Sequence, residues 1–166
     1  MSKGHFIIPI FVPHLGCPHA CVFCNQKRIT GLSTSMTSEK ADSIIKDHLK
    51  TIPLKNRQLE IAFYGGSFTA IDVNLQIQLL EVAYKYKKEG KVDRIRLSTR
   101  PDYIDEKELL LLKEYGVDII ELGVQSLDEE VLFHSGRGHS KEVVYEASRL
   151  IVQHGFCLGH QMMIGL

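Results

Sequence analysis

Residues 92–125, VDRIRLSTRPDYIDEKELLLLKEYGVDIIELGVQ, contain the alternation of elements that decides the fold. Apolar and polar side chains alternate over residues 92–99, which predicts a strand that stops at an Arg-Pro pair. Asp105 with Glu108 forms a capping-box pair that opens a leucine-rich helix, and Gly116 ends that helix. Another β-branched run follows, so the segment is a β-α-β unit.

The same alternation continues on both sides of this unit. The second strand of the unit covers residues 117–124, and the patterns predict further strands over residues 6–12, 59–64 and 156–164. They also predict helices that begin near residues 37, 72 and 140, and a short helix capped by Ser126 with Glu129. Successive β-α units of this length form a parallel sheet with right-handed crossovers. The sequence therefore predicts an α/β fold, an open or partial (β/α) barrel of about five parallel strands.

Length and composition predict one domain over residues 1–166. The hydrophobic fraction of 44% and the charged fraction of 24% are typical of a globular protein. Twenty basic residues balance twenty acidic ones, which argues against a surface devoted to nucleic acid or to an anionic membrane. No apolar run reaches the roughly twenty residues of a membrane helix, and Pro9 and Pro13 interrupt the N-terminal run, so we expect a cytoplasmic protein. A strand followed directly by the terminal Leu166 predicts an N-terminal piece of a longer protein.

Several chemically distinctive residues follow directly after predicted strands. In (β/α) folds the chemistry lies in loops at the carboxyl ends of the strands. We therefore expect one rim of the sheet to carry the three clustered cysteines, Gly65 with Gly66, Thr99 with Arg100, and Gln125 with Ser126.

Three of the four cysteines, Cys17, Cys21 and Cys24, lie within eight residues in a C-x-x-x-C-x-x-C pattern. Thiolates are soft ligands that suit iron–sulfur clusters or zinc. Three thiolates complete three irons of a [4Fe–4S] cluster and leave the fourth iron without a protein ligand, as an open catalytic iron requires. A zinc site with His14 or His19 as fourth ligand stays open as an alternative. Cys157 is predicted to be an ordinary core residue of the last strand.

These motifs resemble the radical-SAM superfamily. Cys17-x-x-x-Cys21-x-Phe23-Cys24 resembles its cysteine signature, with an aromatic residue before the last cysteine. The stretches GGSF (65–68), TRPDY (99–103), ELGVQS (121–126) and RGH (137–139) follow in the order and spacing of one subgroup. That subgroup contains the radical-SAM catalytic subunit of Elongator, which modifies the wobble uridine of tRNA, and uncharacterised bacterial relatives. The oxygen-independent coproporphyrinogen oxidases are more distant relatives.

The resemblance implies a [4Fe–4S] cluster on Cys17, Cys21 and Cys24 and S-adenosylmethionine (SAM) as the second cofactor. In this family the amino and carboxylate groups of SAM chelate the open iron, and an electron from the cluster breaks a carbon–sulfur bond to give methionine and a 5′-deoxyadenosyl radical. The resemblance further implies a reductant protein of the flavodoxin or ferredoxin type, an oxidoreductase or transferase activity, and tRNA as one candidate substrate.

The resemblance also implies which side chains contact SAM. The backbone of Gly65 and Gly66, with Ser67, is expected at its amino group, and Phe23 near its adenine. Arg100 is expected to pair with a carboxylate on SAM or on the substrate, and Gln125 to bind the ribose or the amino acid part. Further candidates are Arg137 and His139 for SAM or substrate, and Met162, Met163 and Ile164 for the adenine.

Two departures from the Elongator subunit keep the reaction open. That protein has a long insertion between its first two cysteines and an acetyltransferase domain after its radical domain, and the 166 residues here show neither. The alternatives are RNA modification, radical chemistry on a small molecule such as a porphyrinogen, and a non-catalytic iron–sulfur or zinc module. Candidates for phosphate contacts, with solvated surface positions as the alternative, are Lys27, Arg28, Arg94, Arg96 and Arg100.

Overall fold

A computed structural model of the protein describes residues 4–12, 21–24, 36–53 and 55–166. Within these ranges the elements alternate as β1 (Gly4–Val12), α1 (Ser38–Thr51), β2 (Arg57–Gly65), α2 (Val73–Lys88), β3 (Arg94–Thr99), α3 (Glu106–Glu114), β4 (Ile119–Gln125), α4 (Glu129–His134), α5 (Lys141–Gln153) and β5 (Cys157–Met162). Short 3-10 turns, Phe68–Ala70 and Pro101–Tyr103, follow β2 and β3. None of the described helices is long and apolar enough to cross a bilayer.

The strands form one sheet in the order β1-β2-β3-β4-β5, and every neighbouring pair is parallel. Because right-handed crossovers between strands in sequential order all lie on the same side, the helices cover one face. A doubly wound sheet would instead reverse its strand order and carry helices on both faces. The prediction of a partial (β/α) barrel with five parallel strands is therefore confirmed.

The hydrophobic core lies between the sheet and its helices. Every second residue along a strand is apolar and faces this layer, as the two-residue period of a strand requires. The strand contributions are Ile8, Ile10, Val12, Leu59, Ile61, Phe63, Ile95, Leu97, Ile120, Leu122 and Val124, and the helices add Leu79, Leu80, Leu109, Leu112 and Ile151 among others.

The opposite face of the sheet carries charged side chains, which we call the inner-face ladder (Glu60, Arg96 and Glu121). Arg96 donates from Nε and Nη2 to Glu60 Oε2 at 2.9 and 2.6 Å, and from Nη1 to Glu121 Oε1 at 2.5 Å. His5 Nε2 lies 3.0 Å from Glu60 Oε1, and Gln161 Nε2 donates to Glu121 Oε2 at 2.9 Å. Because its guanidinium is committed to two carboxylates, Arg96 is not available for the phosphate contacts that the sequence suggested.

Helix starts agree with the sequence except at α4. The expected cap, Ser126, lies too early: its Oγ accepts a hydrogen bond from Asp128 N at 3.1 Å instead. Asp128 is the N-cap, and its Oδ1 accepts from the backbone N–H groups of Glu130 and Val131 at 2.9 and 3.1 Å. The prediction of Ser126 as cap is wrong because a carboxylate two residues later reaches the same free N–H groups.

The capping pair at α3 has an unusual second member. Asp105 Oδ1 accepts from Glu108 N at 2.7 Å, as predicted. Glu108 Oε1, however, is buried with no hydrogen-bond partner. Burial, and then the nearby negative charge of Asp105, raise the pKa of Glu108 to about 7.

We expect Glu108→Gln to stabilise the protein at alkaline pH. Because the folded state holds Glu108 at a raised pKa, stability falls as pH rises from about 4.5, the unfolded value, through about 7. The substitution should raise the free energy of unfolding by about 1–2 kcal/mol at pH 8. This value is reduced to allow for the partial exposure of the side chain. Urea unfolding at pH 4.5 and pH 8 measures this. Equal gains at both pH values, or a gain matched by Glu106→Gln on the exposed side of α3, would contradict it.

The last strand is more exposed than the sequence suggested. β5 pairs only with β4 in the described sheet, and Cys157 is exposed rather than a core residue. The prediction for Cys157 is wrong because β5 is an edge strand. Phe156, directly before the strand, is the buried residue at this end.

Candidate functional site

A cavity of about 130 Å³ lies at the carboxyl ends of the strands. The residues predicted from the sequence converge there from five separate segments of the chain. The lining residues are Cys21, Phe23, Cys24, Gly65, Gly66, Ser67, Ser98, Thr99, Arg100, Gly123, Gln125, Arg137 and Gln161. Cys17 lies outside the described residues, as do His14, His19, Lys27 and Arg28.

Three lining residues were missed as site candidates. Ser98 and Gly123 lie two residues before Arg100 and Gln125, so the two-residue strand period places them on the same face. That period is the signal that sequence reasoning overlooked. Gln161 comes from β5, and its Nε2 donates to Ser98 Oγ at 3.1 Å. No local sequence signal identifies it.

The cysteine segment is held against a distant loop. Cys24 N donates to Cys21 O at 2.9 Å, which closes a tight turn between the two cysteines. Val22 N donates to Ser135 O at 3.0 Å, and Cys21 Sγ donates to Gly136 O at 3.5 Å. The loop after α4 thus positions the turn that carries Cys21, which is buried.

Buried hydroxyl groups join the ends of β2 and β3. Ser67 Oγ and Thr69 Oγ1 lie 2.7 and 2.5 Å from Thr99 Oγ1. Ser67 Oγ also accepts from Arg100 N at 3.1 Å. Because these hydroxyls satisfy one another in a buried position, they hold the two strand ends at a fixed separation beside the cavity.

Arg100 has a carboxylate partner inside the chain. Its Nε and Nη2 donate to the two oxygens of Asp102 at 2.8 Å each, a bidentate pair. Nη2 also donates to Arg137 O at 2.8 Å. These contacts connect the turn after β3 to the loop after α4. Because Nε and Nη2 of Arg100 already donate to Asp102 and to Arg137 O, these groups are engaged within the protein rather than in the phosphate contact predicted from the sequence.

Arg137 is 6% exposed and reaches the cavity from between two glycines, Gly136 and Gly138. Both glycines have positive φ (66° and 77°), a conformation that other residues adopt at a cost. Arg137 Nη2 donates to Gly123 O, and Nη1 lies 3.8 Å from Cys21 Sγ. Burial, and then the positive charge of Arg100, lower the pKa of Arg137.

Gln125 is the one non-glycine residue of the described cavity wall with positive φ, at 69°. Residues with such unfavourable backbone angles occur often at functional sites, where contacts with the surrounding structure stabilise them. Here Met163 N donates to Gln125 O at 2.9 Å and fixes the turn after β4.

Unlike Arg137, the other candidates from the later part of the sequence do not line the cavity. His139 is buried with Nδ1 3.3 Å from Ser140 O, and burial lowers its pKa, but it lines a separate groove beside α4. Met162, Met163 and Ile164 are exposed, and none of them lines the cavity. Of the remaining basic candidates, Arg94 is an exposed side chain at the start of β3.

Larger clefts exist away from the strand ends, one of about 470 Å³ beside α4 and one of about 560 Å³ between α1 and Lys91. We place the candidate site in the smaller cavity because polar and small residues of four strands, β2 to β5, converge there, at the edge where (β/α) folds bind ligands. Two thiols of the predicted cluster motif open onto the same space, so the donor chemistry fits an iron–sulfur cluster.

Comparisons with known proteins identify the family of the chain. The model of the Radical SAM superfamily matches residues 11–166. The tRNA uridine(34) acetyltransferase of Methanocaldococcus infernus is 25% identical over 200 residues, which cover 99% of this chain and 38% of that protein. Elongator complex protein 3 of Bos taurus is 35% identical over 203 residues, which cover 98% of this chain and 37% of that protein.

A solved structure, the archaeal Elp3 of Methanocaldococcus infernus with an N-terminal deletion, superposes with a TM-score of 0.70 at 22% identity. The superposition covers 100% of this chain and 39% of the chain in that structure. The chain thus spans little more than a third of the length of the relatives it matches. The resemblance to the Elongator subgroup is confirmed, and since the family model matches nearly the whole sequence, the chain belongs to the Radical SAM superfamily, a family of enzymes.

Proposed function

We propose that residues 1–166 form a radical-SAM core domain that holds a [4Fe–4S] cluster on Cys17, Cys21 and Cys24 and binds SAM beside it. The observation that carries this proposal is the shared cavity. Two of the three cysteines line the same space as the ends of β2, β3 and β4. A thiolate site that borders an open, polar cavity suits a cluster with an exchangeable position better than a closed structural site.

The cavity suits the polar amino acid part of SAM rather than the whole molecule. Its volume of about 130 Å³ is below the roughly 300 Å³ at which small-molecule sites usually begin. Gly65 and Gly66 expose backbone at the end of β2, where a ligand ammonium group can approach closely. Phe23, on the same wall, and Gln125, at its strained turn, are the proposed contacts for the adenine and for the ribose or amino acid part.

Cys17, Cys21 and Cys24 would hold the cluster and the cavity would hold SAM, and together the two groups would supply one-electron reductive cleavage of a carbon–sulfur bond, giving methionine and a 5′-deoxyadenosyl radical. The protein positions and shields these groups. The buried hydroxyls of Ser67, Thr69 and Thr99 hold the strand ends rigid, and the Val22–Ser135 hydrogen bond holds the cysteine turn. A rigid wall of this kind holds the bound groups in a fixed orientation relative to one another.

We further propose a tRNA nucleoside as the substrate and a flavodoxin- or ferredoxin-type protein in the cytoplasm as the electron donor. The similarity to a tRNA uridine(34) acetyltransferase supports the substrate class. No feature of the described residues specifically favours a porphyrinogen or another small molecule.

We expect anaerobically reconstituted protein, given dithionite and SAM, to form 5′-deoxyadenosine and methionine. Cys21→Ser and Cys24→Ser should reduce product to the level of the reaction without protein, because serine is a poor ligand for iron–sulfur clusters. Cys157→Ser is the matched control: the residue is exposed, lies at the opposite end of the sheet, and its replacement should leave product formation unchanged. Product is measured by chromatography with mass detection, and iron and sulfide by colorimetry.

Two outcomes would overturn this function. One is zinc alone, with no iron or sulfide, in protein reconstituted with both metals available. The other is a full [4Fe–4S] cluster that forms no 5′-deoxyadenosine on reduction with SAM, which would indicate the non-catalytic module.

A further inference from the structure

Within the described part of the chain, the buried guanidinium of Arg137 has no carboxylate at ion-pair distance. Burial of a charge is costly unless it is paired with an opposite charge. Arg137 Nη2 donates to a neutral carbonyl, Gly123 O, and Nε is buried with no hydrogen-bond partner among the described residues. No carboxylate oxygen of the described residues forms an ion pair with it, although Arg100 nearby is paired with Asp102.

Another contact of the Arg137 guanidinium is with a proposed cluster ligand. Its Nη1 lies 3.8 Å from Cys21 Sγ, within hydrogen-bond range for sulfur. Cys21 is one of the proposed cluster ligands, and a cluster held by three thiolates carries net negative charge. The unpaired cation therefore faces the place where the proposed function puts an anion.

The surroundings of Arg137 keep its side chain in this position. Arg100 Nη2 donates to Arg137 O at 2.8 Å, and Arg137 N donates to Leu132 O at 3.0 Å. A Cβ on Gly123 would lie 3.0 Å from Arg137 Nη2, so glycine at that position leaves room for the guanidinium. The arginine is thus fixed at both its backbone and its guanidinium end.

We propose that Arg137 is a positioning residue that holds the Cys21 thiolate and sets the reduction potential of the cluster. This inference rests on the proposed function. Hydrogen bonds to the sulfurs and net charge around a cluster set its potential. Reduction adds one negative charge to the cluster, and a buried cation with an N–H group directed at a ligand sulfur stabilises the reduced form more than the oxidised form. Arg137 therefore raises the potential and makes the cluster easier to reduce.

The test is a redox titration of the reconstituted protein, followed by electron paramagnetic resonance of the reduced cluster. In Arg137→Met the equilibrium constant for reduction of the cluster should fall by about tenfold or more. Each tenfold fall shifts the reduction potential of a one-electron couple by about 59 mV to more negative values. Arg137→Gln keeps an N–H donor without the charge and should give a smaller shift in the same direction. Arg149→Met removes an exposed arginine of α5 and should match the wild type.

The outcomes separate this inference from the proposed function. If both Arg137 variants load iron and titrate at the wild-type potential, the inference is overturned while the proposed function stands. If Arg137→Met does not retain a cluster, Arg137→Gln decides: a negative shift supports the inference, and a wild-type potential overturns it. If the wild type itself takes up no [4Fe–4S] cluster, the proposed function fails, and the inference fails with it.

Discussion

Replacing Arg96 with alanine is expected to destabilise the protein by about 3–5 kcal/mol, because it leaves a buried carboxylate without its cation. The side chain of Glu60 is only 2% exposed, and it receives two hydrogen bonds from Arg96. Glu121, the other carboxylate of the inner-face ladder, keeps hydrogen bonds from Ser98 and Gln161 in the variant. Urea unfolding at neutral pH measures the loss.

Arg94→Ala is the matched control for this prediction, since Arg94 is an exposed arginine of the same strand. It should change stability by no more than about 0.5 kcal/mol. Adding Glu60→Gln to Arg96→Ala should recover part of the loss, because the buried charge is then gone. A loss in Arg96→Ala no larger than in Arg94→Ala would show that the ladder contributes nothing to stability.

Gly65→Ala is expected to lower the free energy of unfolding by about 3 kcal/mol or more. We expect the same substitution to distort the candidate cluster site. Gly65 has φ of 122°, and an added Cβ would lie 2.2 Å from Val12 O. Val12 and Gly65 are register partners at the carboxyl ends of β1 and β2, so the clash would separate the two strands beside the cavity. Thermal unfolding gives the stability, and iron content after reconstitution reports the site.

Gly90→Ala isolates the part of this effect that comes from backbone strain alone. Gly90 also has positive φ, 67°, but an added Cβ would meet no atom within 4 Å. It should cost about 1–2 kcal/mol and leave iron content unchanged. If the two variants are equally stable and load equal iron, the close approach of Val12 to Gly65 does not matter.

The sequence predicted the elements well where the signal is local. Asp72 and Asp105 cap the helices that they were expected to cap, and their side chains accept from backbone N–H groups two or three residues later. The prediction failed at Ser126, where Asp128 competes for the same role, and at Cys157, which an edge strand leaves exposed.

In the candidate site, too, residues with a local sequence signal were predicted and contacts between distant segments were not. Nine of the thirteen described lining residues were named from the sequence as cluster ligands or SAM contacts. Five of them lie at the ends of predicted strands, which a parallel sheet brings to one edge, three belong to the cysteine motif, and Arg137 comes from the RGH stretch. The partners of the charged residues were not predictable. Arg100 pairs with Asp102, and Arg137 contacts Cys21 across 116 positions of the chain. Such contacts depend on which loops the fold places side by side.

By itself, the sequence determined that strands and helices alternate, that three thiols crowd one loop, and that the strand ends carry the distinctive residues. Hydrophobic period, caps and ligand chemistry are properties of neighbouring residues, so they can be read along the chain. The tertiary structure alone decided the sequential strand order, the burial of Glu60 on the strand between β1 and β3, and the position of Arg137 beside Cys21. These features depend on distances between segments that are far apart in the chain, and no local pattern records them.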